Sequence, residues 1–153
     1  MIRVLFVCLG NICRSPMAEA VFLDKVRKAG LAAKVMADSA GTGDWHIGER
    51  PHIGTRRVLQ REGIDYDGRA RLFAPRDLEL FDYIITMDES NRQTVTAHGN
   101  GPARVVNLME FAPETDETEV PDPYYDGRYD LVYDLVNRAC GNLLEAIRKE
   151  HGL

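Results

Sequence analysis

Apolar residues along the chain fall into two patterns, short continuous runs and longer stretches with helical spacing. The short runs are rich in β-branched residues and predict strands buried on both faces of a parallel sheet. They are Ile2–Val7, Val35–Ser39, Asp82–Met87 and Arg104–Leu108. Because these strands alternate with predicted helices, we expect an α/β fold. Its form is a three-layer αβα sandwich, a four-stranded parallel sheet with helices on both faces.

The first strand leads into a loop, Cys8–Arg14, and then into the first predicted helix. Ser15 followed by Pro16 is typical of a helix start, with Ser15 as the N-cap and Glu19 in the first turn. Gly30 is predicted to end this helix. Ligands of open parallel sheets bind beyond the carboxyl ends of the strands, which is where the loop lies.

The remaining polar and apolar positions predict four more helical segments and one long loop. The helical segments are Ile53–Glu62, a single turn at Asp77–Phe81, a helix capped near Asp88–Ser90, and Arg128–Lys149. Met109–Tyr125 is acidic and rich in proline, which predicts a loop without regular structure.

The composition indicates a soluble globular protein. The 153 residues suit one domain, 1–153, and 19 basic against 24 acidic side chains give a formal net charge of −5. This acidic balance argues against a general nucleic-acid binder. No apolar run is long enough for a membrane span, and the N-terminus lacks the features of a signal peptide. We therefore expect a cytoplasmic protein, whose cysteines are kept reduced.

Two of the three cysteines, Cys8 and Cys13, lie in the loop after the first strand, and Cys140 lies far along the chain. Three interpretations compete: a metal site, a disulfide and a reactive thiolate. The C-x4-C spacing and the scattered histidines do not match the usual zinc-ligand patterns. An odd number of cysteines in a reducing compartment argues against a structural disulfide. A reactive thiolate is the leading interpretation, with an ordinary buried strand-end cysteine as the plain alternative.

The residues around Cys8 suit the binding of a tetrahedral dianion. Gly10 and Asn11 tolerate unusual backbone angles, so successive amide groups can point inward. The helix N-terminus adds partial positive charge, and Arg14 adds a planar guanidinium that matches phosphate oxygens. The same field favours a thiolate at Cys8, whose sulfur Ser15 is placed to hydrogen-bond. The pattern therefore predicts a nucleophile beneath a bound phosphate.

The sequence C-L-G-N-I-C-R-S-P, from Cys8 to Pro16, resembles the C-x5-R-S phosphate-binding loop (P-loop) of the low molecular weight protein tyrosine phosphatases. Other stretches resemble signatures of that family in the expected order. They are D-S-A-G-T at 38–42, W-H-I-G at 45–48, A-R at 70–71, F-D-Y-I-I-T-M-D-E-S-N at 81–91 and D-P-Y-Y at 122–125. The resemblance covers essentially the whole chain.

This resemblance implies hydrolysis of phosphotyrosine and of small aryl phosphates without a metal or other cofactor. Cys8 would attack phosphorus and form a phosphocysteine intermediate, and Arg14 would bind the phosphoryl oxygens and stabilise the transition state. Asp122 would protonate the leaving phenolate and then activate the hydrolytic water. Without the resemblance, two interpretations of Asp122 stand about even: the flanking prolines can fix its carboxylate above the loop, or it is one acid among several in an acidic segment.

The resemblance also implies how the substrate is held. Phosphate would contact Leu9, Gly10, Asn11, Ile12, Cys13 and Ser15, and Trp45, Tyr124 and Tyr125 would line the slot for the aromatic ring. From the sequence alone, Trp45 is equally well explained as a packing residue. Ile12 stands where similar phosphoarginine phosphatases carry threonine, and a branched apolar side chain there favours a flat aryl phosphate.

One position departs from the family pattern. Asn11, Ser15 and Ser39 match positions that brace the loop, but Gly68 stands where the family often has a histidine that would brace Asn11. We therefore expect the outer hydrogen bonds of the loop to be arranged differently or to be completed by water.

The expected partner is a phosphotyrosine-containing protein, with a tyrosine kinase as one candidate, and the loop is expected to bind phosphate-like anions. A monomer or a weak dimer is expected. Cys13 has two interpretations: packing in the loop, or a reversible disulfide with oxidised Cys8 that would make the enzyme redox-sensitive.

Two other functions compete with the phosphatase. A thiol-dependent arsenate reductase of similar fold needs further cysteines near the third strand, and residues 64–92 contain none. A phosphotyrosine-binding module without catalysis would not need Cys8, Arg14 and Asp122 together.

Overall fold

The computed structural model describes residues 1–153. The strands are β1 (Ile2–Cys8), β2 (Val35–Gly41), β3 (Tyr83–Thr86) and β4 (Arg104–Asn107). The helices are α1 (Arg14–Lys28), α2 (Ile53–Arg61), α3 (Asp77–Leu80), α4 (Glu89–Ala97), α5 (Pro123–Asp126) and α6 (Tyr129–His151), with a 3-10 turn at Leu108–Phe111. The strands form one sheet in the order β2-β1-β3-β4, and every pair is parallel.

Side chains of β1 alternate between two cores, one on each face of the sheet. Val4, Phe6 and Cys8 point into the larger core, which α1 and α6 cover. Leu5 and Val7 point into a smaller core that contains residues of α3 and α4. Both faces are therefore covered by helices, which confirms the predicted fold class. None of these helices combines the length and the hydrophobicity needed to cross a lipid bilayer.

The predicted start of the first helix is wrong by two residues in a way that matters for the site. Helix α1 begins at Arg14, and Cys13 occupies the N-cap position without a side-chain hydrogen bond to the helix. Ser15 lies inside the helix. Its hydroxyl oxygen accepts a hydrogen bond from Asn11 Nδ2 and lies in hydrogen-bonding distance of Cys8 Sγ, and it caps no backbone amide. The serine expected to cap the helix thus contacts the sulfur.

Two further local predictions are wrong. Glu19 lies beyond the first turn of α1 and is buried. The segment Met109–Tyr125, predicted as a loop, carries the end of the 3-10 turn and the start of α5. Asp122 caps α5, because its Oδ1 accepts from the amide of Tyr124 at 3.0 Å. A four-residue helix held by its cap shows too little periodicity to be recognised from sequence.

Candidate active site

The loop that follows β1 turns its carbonyl groups away from the space above it. Neighbouring segments bind these oxygens from outside: the amides of Thr42, Gly43 and His52 donate to Cys8, Leu9 and Ile12, and the Thr55 hydroxyl donates to Cys13. No backbone carbonyl accepts from the amides of Leu9, Gly10, Ile12 and Cys13. These amides are therefore free to bind an anion in the concave face of the loop.

Asn11 makes the tight curvature of the loop possible. It is the one non-glycine residue with positive φ, at 56°, a left-handed conformation that asparagine tolerates better than most residues. This conformation directs the Asn11 amide towards Cys8 Sγ at 3.3 Å. A strained backbone angle is kept here because it aims a donor at the sulfur.

The sulfur of Cys8 lies at the base of this concave face, and the residue is 2% exposed. Ser15 Oγ lies 3.1 Å from Cys8 Sγ. Because Asn11 Nδ2 already donates to Ser15 Oγ at 2.7 Å, the Ser15 hydroxyl hydrogen is left to point at the sulfur. Two donors and the N-terminus of α1 thus favour negative charge on Cys8.

Arg14 is buried beside the sulfur and is held by groups from distant parts of the chain. Its Nη1 donates to Asp88 Oδ2 at 2.7 Å and to the Val120 carbonyl at 3.0 Å, and its Nη2 lies 3.5 Å from Asp122 Oδ2. Burial by itself would lower the pKa of Arg14, but the charges of Cys8, Asp88 and Asp122 outweigh it. The pKa is therefore raised and the guanidinium stays charged.

A pocket of about 360 Å³ opens above Cys8. Its lining includes ten of the predicted site residues: Cys8, Leu9, Gly10, Ile12, Cys13, Arg14, Trp45, Asp122, Tyr124 and Tyr125. Trp45 is 66% exposed and Tyr125 is 82% exposed, so the aromatic residues form an open rim and not a closed slot. Tyr124 packs edge-on against Tyr125, with ring centroids 5.2 Å apart.

The other two predicted residues, Asn11 and Ser15, lie behind the loop. The Asn11 side chain makes three hydrogen bonds within the chain. Its Oδ1 accepts from the Arg71 amide at 3.0 Å, and its Nδ2 donates to Ser15 Oγ and, at 3.0 Å, to Ser39 Oγ. These two residues therefore shape the loop from the rear.

Sequence reasoning assigned no role in the site to Asp88 or His46. Asp88 caps α4 through the Asn91 amide, as predicted for this region, but its second oxygen binds Arg14. His46 lines the pocket and its Nδ1 lies 3.0 Å from Glu49 Oε2. Both residues lie within stretches that resemble family signatures, and this resemblance was the sequence feature that could have identified them as site residues.

The other two cysteines carry neutral thiols. Burial raises the pKa of Cys13 to about 12, although a hydrogen bond with the Tyr129 hydroxyl acts in the opposite direction. Burial also raises the pKa of Cys140 to about 12. All three cysteines are free thiols, and no three His, Cys, Asp or Glu side chains are grouped where they could share a metal ion.

Comparisons with known proteins agree with this geometry. The family model described as low molecular weight phosphotyrosine protein phosphatase matches residues 3–152. The chain is 49% identical to the low molecular weight protein-tyrosine-phosphatase YfkJ of Bacillus subtilis, over the full length of both. The crystal structure of YfkJ superimposes with a TM-score of 0.96, covering 99% of this chain and 97% of that one.

Two further relatives bear on the substrate. The low molecular weight protein-tyrosine-phosphatase PtpA of Staphylococcus epidermidis is 44% identical over 100% of this chain and 98% of its own. The crystal structure of a drosophila arginine phosphatase is 29% identical, with a TM-score of 0.90 over 95% of this chain and 97% of that one. The family match extends over nearly the whole chain, and the relatives with the higher identities are named as tyrosine phosphatases. The chain therefore belongs to the low molecular weight phosphotyrosine protein phosphatase family and is a protein-tyrosine phosphatase.

Proposed function

We propose that the protein hydrolyses phosphotyrosine, and small aryl phosphates, through a phosphocysteine intermediate. The observation that carries this proposal is the convergence on one pocket of Cys8 Sγ, the loop amides, Arg14 and Asp122. The sulfur supplies a nucleophile, the amides and the guanidinium supply positive groups for the phosphoryl oxygens, and the carboxyl group supplies a proton.

In the first step, the Cys8 thiolate attacks phosphorus and the bond to the phenolic oxygen breaks. Asp122 donates its proton to that oxygen, so the leaving group departs as a neutral phenol. Charge on the three equatorial oxygens is bound by the loop amides and by Arg14, whose planar guanidinium can bridge two of them.

In the second step, a water molecule attacks phosphorus and the sulfur–phosphorus bond breaks. Asp122 accepts the proton from the water, and inorganic phosphate leaves. The hydrogen bonds from the Asn11 amide and the Ser15 hydroxyl stabilise the thiolate as it departs. The same two donors thus serve both the attack and the release.

The aromatic rim supports an aryl phosphate on a protein as the substrate. Trp45, Tyr124 and Tyr125 can stack against a phenyl ring, and the apolar side chain of Ile12 lines the floor beside them. We propose a phosphotyrosine-containing protein as the partner, with a tyrosine kinase as one candidate. A peptide pair that carries phosphotyrosine or phosphoarginine at one position tests this choice, and faster release from phosphoarginine would contradict it.

Several further properties belong to the same proposal. Residues 1–153 would act as one catalytic unit in the cytoplasm, as a monomer or a weak dimer.

A reversible disulfide between Cys8 and Cys13 would protect the site: peroxide oxidises the Cys8 thiolate to a sulfenic acid, and the Cys13 thiol then displaces water from it. Cys13→Ser should recover less activity than wild type after peroxide and then reductant, and equal recovery would remove the disulfide.

Hydrolysis of p-nitrophenyl phosphate in excess chelator tests the mechanism. Wild type and Cys140→Ala should be active, because Cys140 is buried in α6 away from the pocket. Cys8→Ser should be inactive, and acid quenching of the wild-type reaction should leave phosphate on the peptide that contains Cys8. An active Cys8→Ser enzyme, or activity that disappears with chelator, would refute the proposal.

A further inference from the structure

A continuous chain of hydrogen bonds runs from the nucleophile into the core behind the loop. It begins at Cys8 Sγ, 3.1 Å from Ser15 Oγ, and passes to Asn11 Nδ2, which donates to Ser15 Oγ at 2.7 Å. The second hydrogen of the same amide group goes to Ser39 Oγ at 3.0 Å. One planar amide therefore sets the orientation of two hydroxyl groups.

The chain ends on a buried carboxylate. Ser39 Oγ donates to Glu19 Oε1 at 2.6 Å, and the Tyr66 hydroxyl donates to the same oxygen at 2.7 Å. Ser39 has one hydroxyl hydrogen and receives the Asn11 amide on its oxygen, so that hydrogen must point to Glu19. The acceptor at the end thus fixes the direction of every bond back to the sulfur.

Tyr66 occupies the space that a side chain at position 68 would need. A Cβ atom built on Gly68 would overlap the Tyr66 hydroxyl and the adjacent ring carbon. The glycine that departs from the family pattern therefore accommodates the tyrosine that donates to Glu19. The loop is braced from this direction by a phenol hydroxyl in the place where a residue-68 side chain would lie.

Glu19 accepts both hydrogen bonds at this end although its pKa is raised. Burial is the largest cause of the increase and Asp38 adds to it, whereas the hydrogen bonds from Ser39 and Tyr66 and the charge of Arg71 act in the opposite direction. The pKa of Tyr66 is itself raised by burial and by Glu19, so the phenol remains a donor. Loss of the Tyr66 hydroxyl would remove one of the two donors that hold Oε1 in place.

We propose that Tyr66 and Glu19 are positioning residues of the active site, which keep the Ser15 hydroxyl hydrogen directed at the Cys8 sulfur through Ser39 and Asn11. The proposal rests on the proposed function in one respect, the identity of Cys8 as the nucleophile. Without the Tyr66 hydroxyl, Glu19 can turn, the Ser39 hydroxyl can reverse, and the Asn11 amide loses its fixed orientation. The thiolate then loses part of its stabilisation although no residue in contact with it has changed.

Alkylation of Cys8 by iodoacetamide across a pH series tests this directly, with the modified peptides assigned by mass spectrometry. In Tyr66→Phe the midpoint of the Cys8 alkylation rate should move up by about 0.7 pH unit, the equivalent of one hydrogen bond of about 1 kcal/mol. Below the midpoint, kcat/KM for p-nitrophenyl phosphate should fall about five-fold, and above it the two enzymes should converge.

Tyr83→Phe is the matched control. The Tyr83 hydroxyl also donates to a glutamate, Glu150 Oε2, at the same 2.7 Å, but Glu150 is exposed and Tyr83 begins β3 at the opposite end of the sheet from the loop. Its alkylation midpoint should equal that of wild type. Cys140, fully buried in α6, reports unfolding in each sample because it is alkylated when the chain opens.

An unchanged midpoint in Tyr66→Phe, with Cys140 still protected, would overturn the proposal even if the melting temperature falls. Equal shifts in Tyr66→Phe and Tyr83→Phe would also overturn it, because the effect would then be a general loss of stability. Alkylation measures Cys8 without substrate turnover. A wild-type enzyme that hydrolyses no aryl phosphate would therefore contradict the proposed function and leave this test valid.

Discussion

Replacing Asp88 with asparagine would separate two functions that this carboxylate performs. One oxygen caps α4 by accepting from the Asn91 amide at 2.8 Å, and the other accepts from Arg14 Nη1 at 2.7 Å. Asparagine is as good an N-cap as aspartate, so Asp88→Asn keeps the first interaction. The variant removes the negative charge beside a guanidinium that the protein buries almost completely.

The expected loss of stability depends on how deeply the Arg14–Asp88 ion pair is buried from water. Removing one partner of a fully buried ion pair costs about 3–5 kcal/mol. The Asp88 side chain is 21% exposed, and Arg14 keeps the Val120 carbonyl and the Asp122 carboxylate as neighbours. We therefore expect Asp88→Asn to lower the free energy of unfolding by about 2 kcal/mol.

Activity should fall more than stability suggests. Once Asp88 is neutral, the nearest carboxylate to Arg14 is Asp122, now 3.5 Å away, and the guanidinium is drawn towards it. That movement misplaces both the proposed phosphate-binding group and the proposed proton donor. A displacement on the order of 1 Å costs about 100-fold in rate, so a fall in kcat of about 10- to 100-fold is expected.

Chemical denaturation and steady-state kinetics on p-nitrophenyl phosphate measure the two effects. Asp24→Asn is the control, because Asp24 pairs with Lys28 at a similar 2.8 Å but Lys28 is 75% exposed. Such a surface pair contributes about 0–1 kcal/mol, and kcat should not change. If Asp88→Asn and Asp24→Asn lose the same stability and activity, the electrostatic role of Asp88 is refuted.

Three further predictions concern the proton donor, the loop backbone and a buried acid. Asp122→Asn should slow phenyl phosphate far more than p-nitrophenyl phosphate, because the poorer leaving group depends more on its proton; equal losses would remove Asp122 as the acid. Gly41→Ala should lower kcat about 10-fold or more, since its Cβ would lie 2.9 Å from the Leu9 carbonyl oxygen. Gly63→Ala, at φ 72° in open space, should cost about 1 kcal/mol of stability without loss of kcat. Burial raises the folded-state pKa of Glu19 above 4.5, so its stabilising contribution is complete below the unfolded pKa and is lost as pH rises through the folded value. Thermal unfolding should therefore show Glu19→Gln gaining stability relative to wild type as the pH rises above the unfolded pKa of about 4.3, and a constant difference would contradict the shift.

Local sequence predicted the elements of the fold well because each strand carries its own signal. The apolar run of β1 is buried on both faces, so it reads as continuous hydrophobic sequence, and Cys8 follows at the end where ligands bind. Asn11 and Gly10 likewise indicate a tight loop by their backbone tolerance alone. These features depend on residues close together in sequence.

The supporting contacts of the site are not encoded locally and were missed for that reason. Asp88 lies 74 positions from Arg14, and Tyr66 lies 47 positions from Glu19. The predicted hydrogen bond between Ser15 and the sulfur is present, but the predicted helix cap at Ser15 is wrong, because cap preferences describe backbone partners and take no account of a nearby sulfur. A single sequence shows which donors are present but not which distant acceptors orient them.

Those acceptors explain how so many donors can face one pocket. Inward-pointing amides, a hydroxyl and a guanidinium repel one another electrostatically when they are brought close together. Acceptors on the side away from the pocket offset this repulsion. Asp88 accepts from Arg14, and Glu19 accepts from Ser39, which in turn accepts from Asn11. Since these acceptors do not touch the substrate, changing them should alter the chemistry at Cys8 while leaving the lining of the pocket intact. The catalytic properties of the loop therefore depend on residues that a list of pocket contacts would omit.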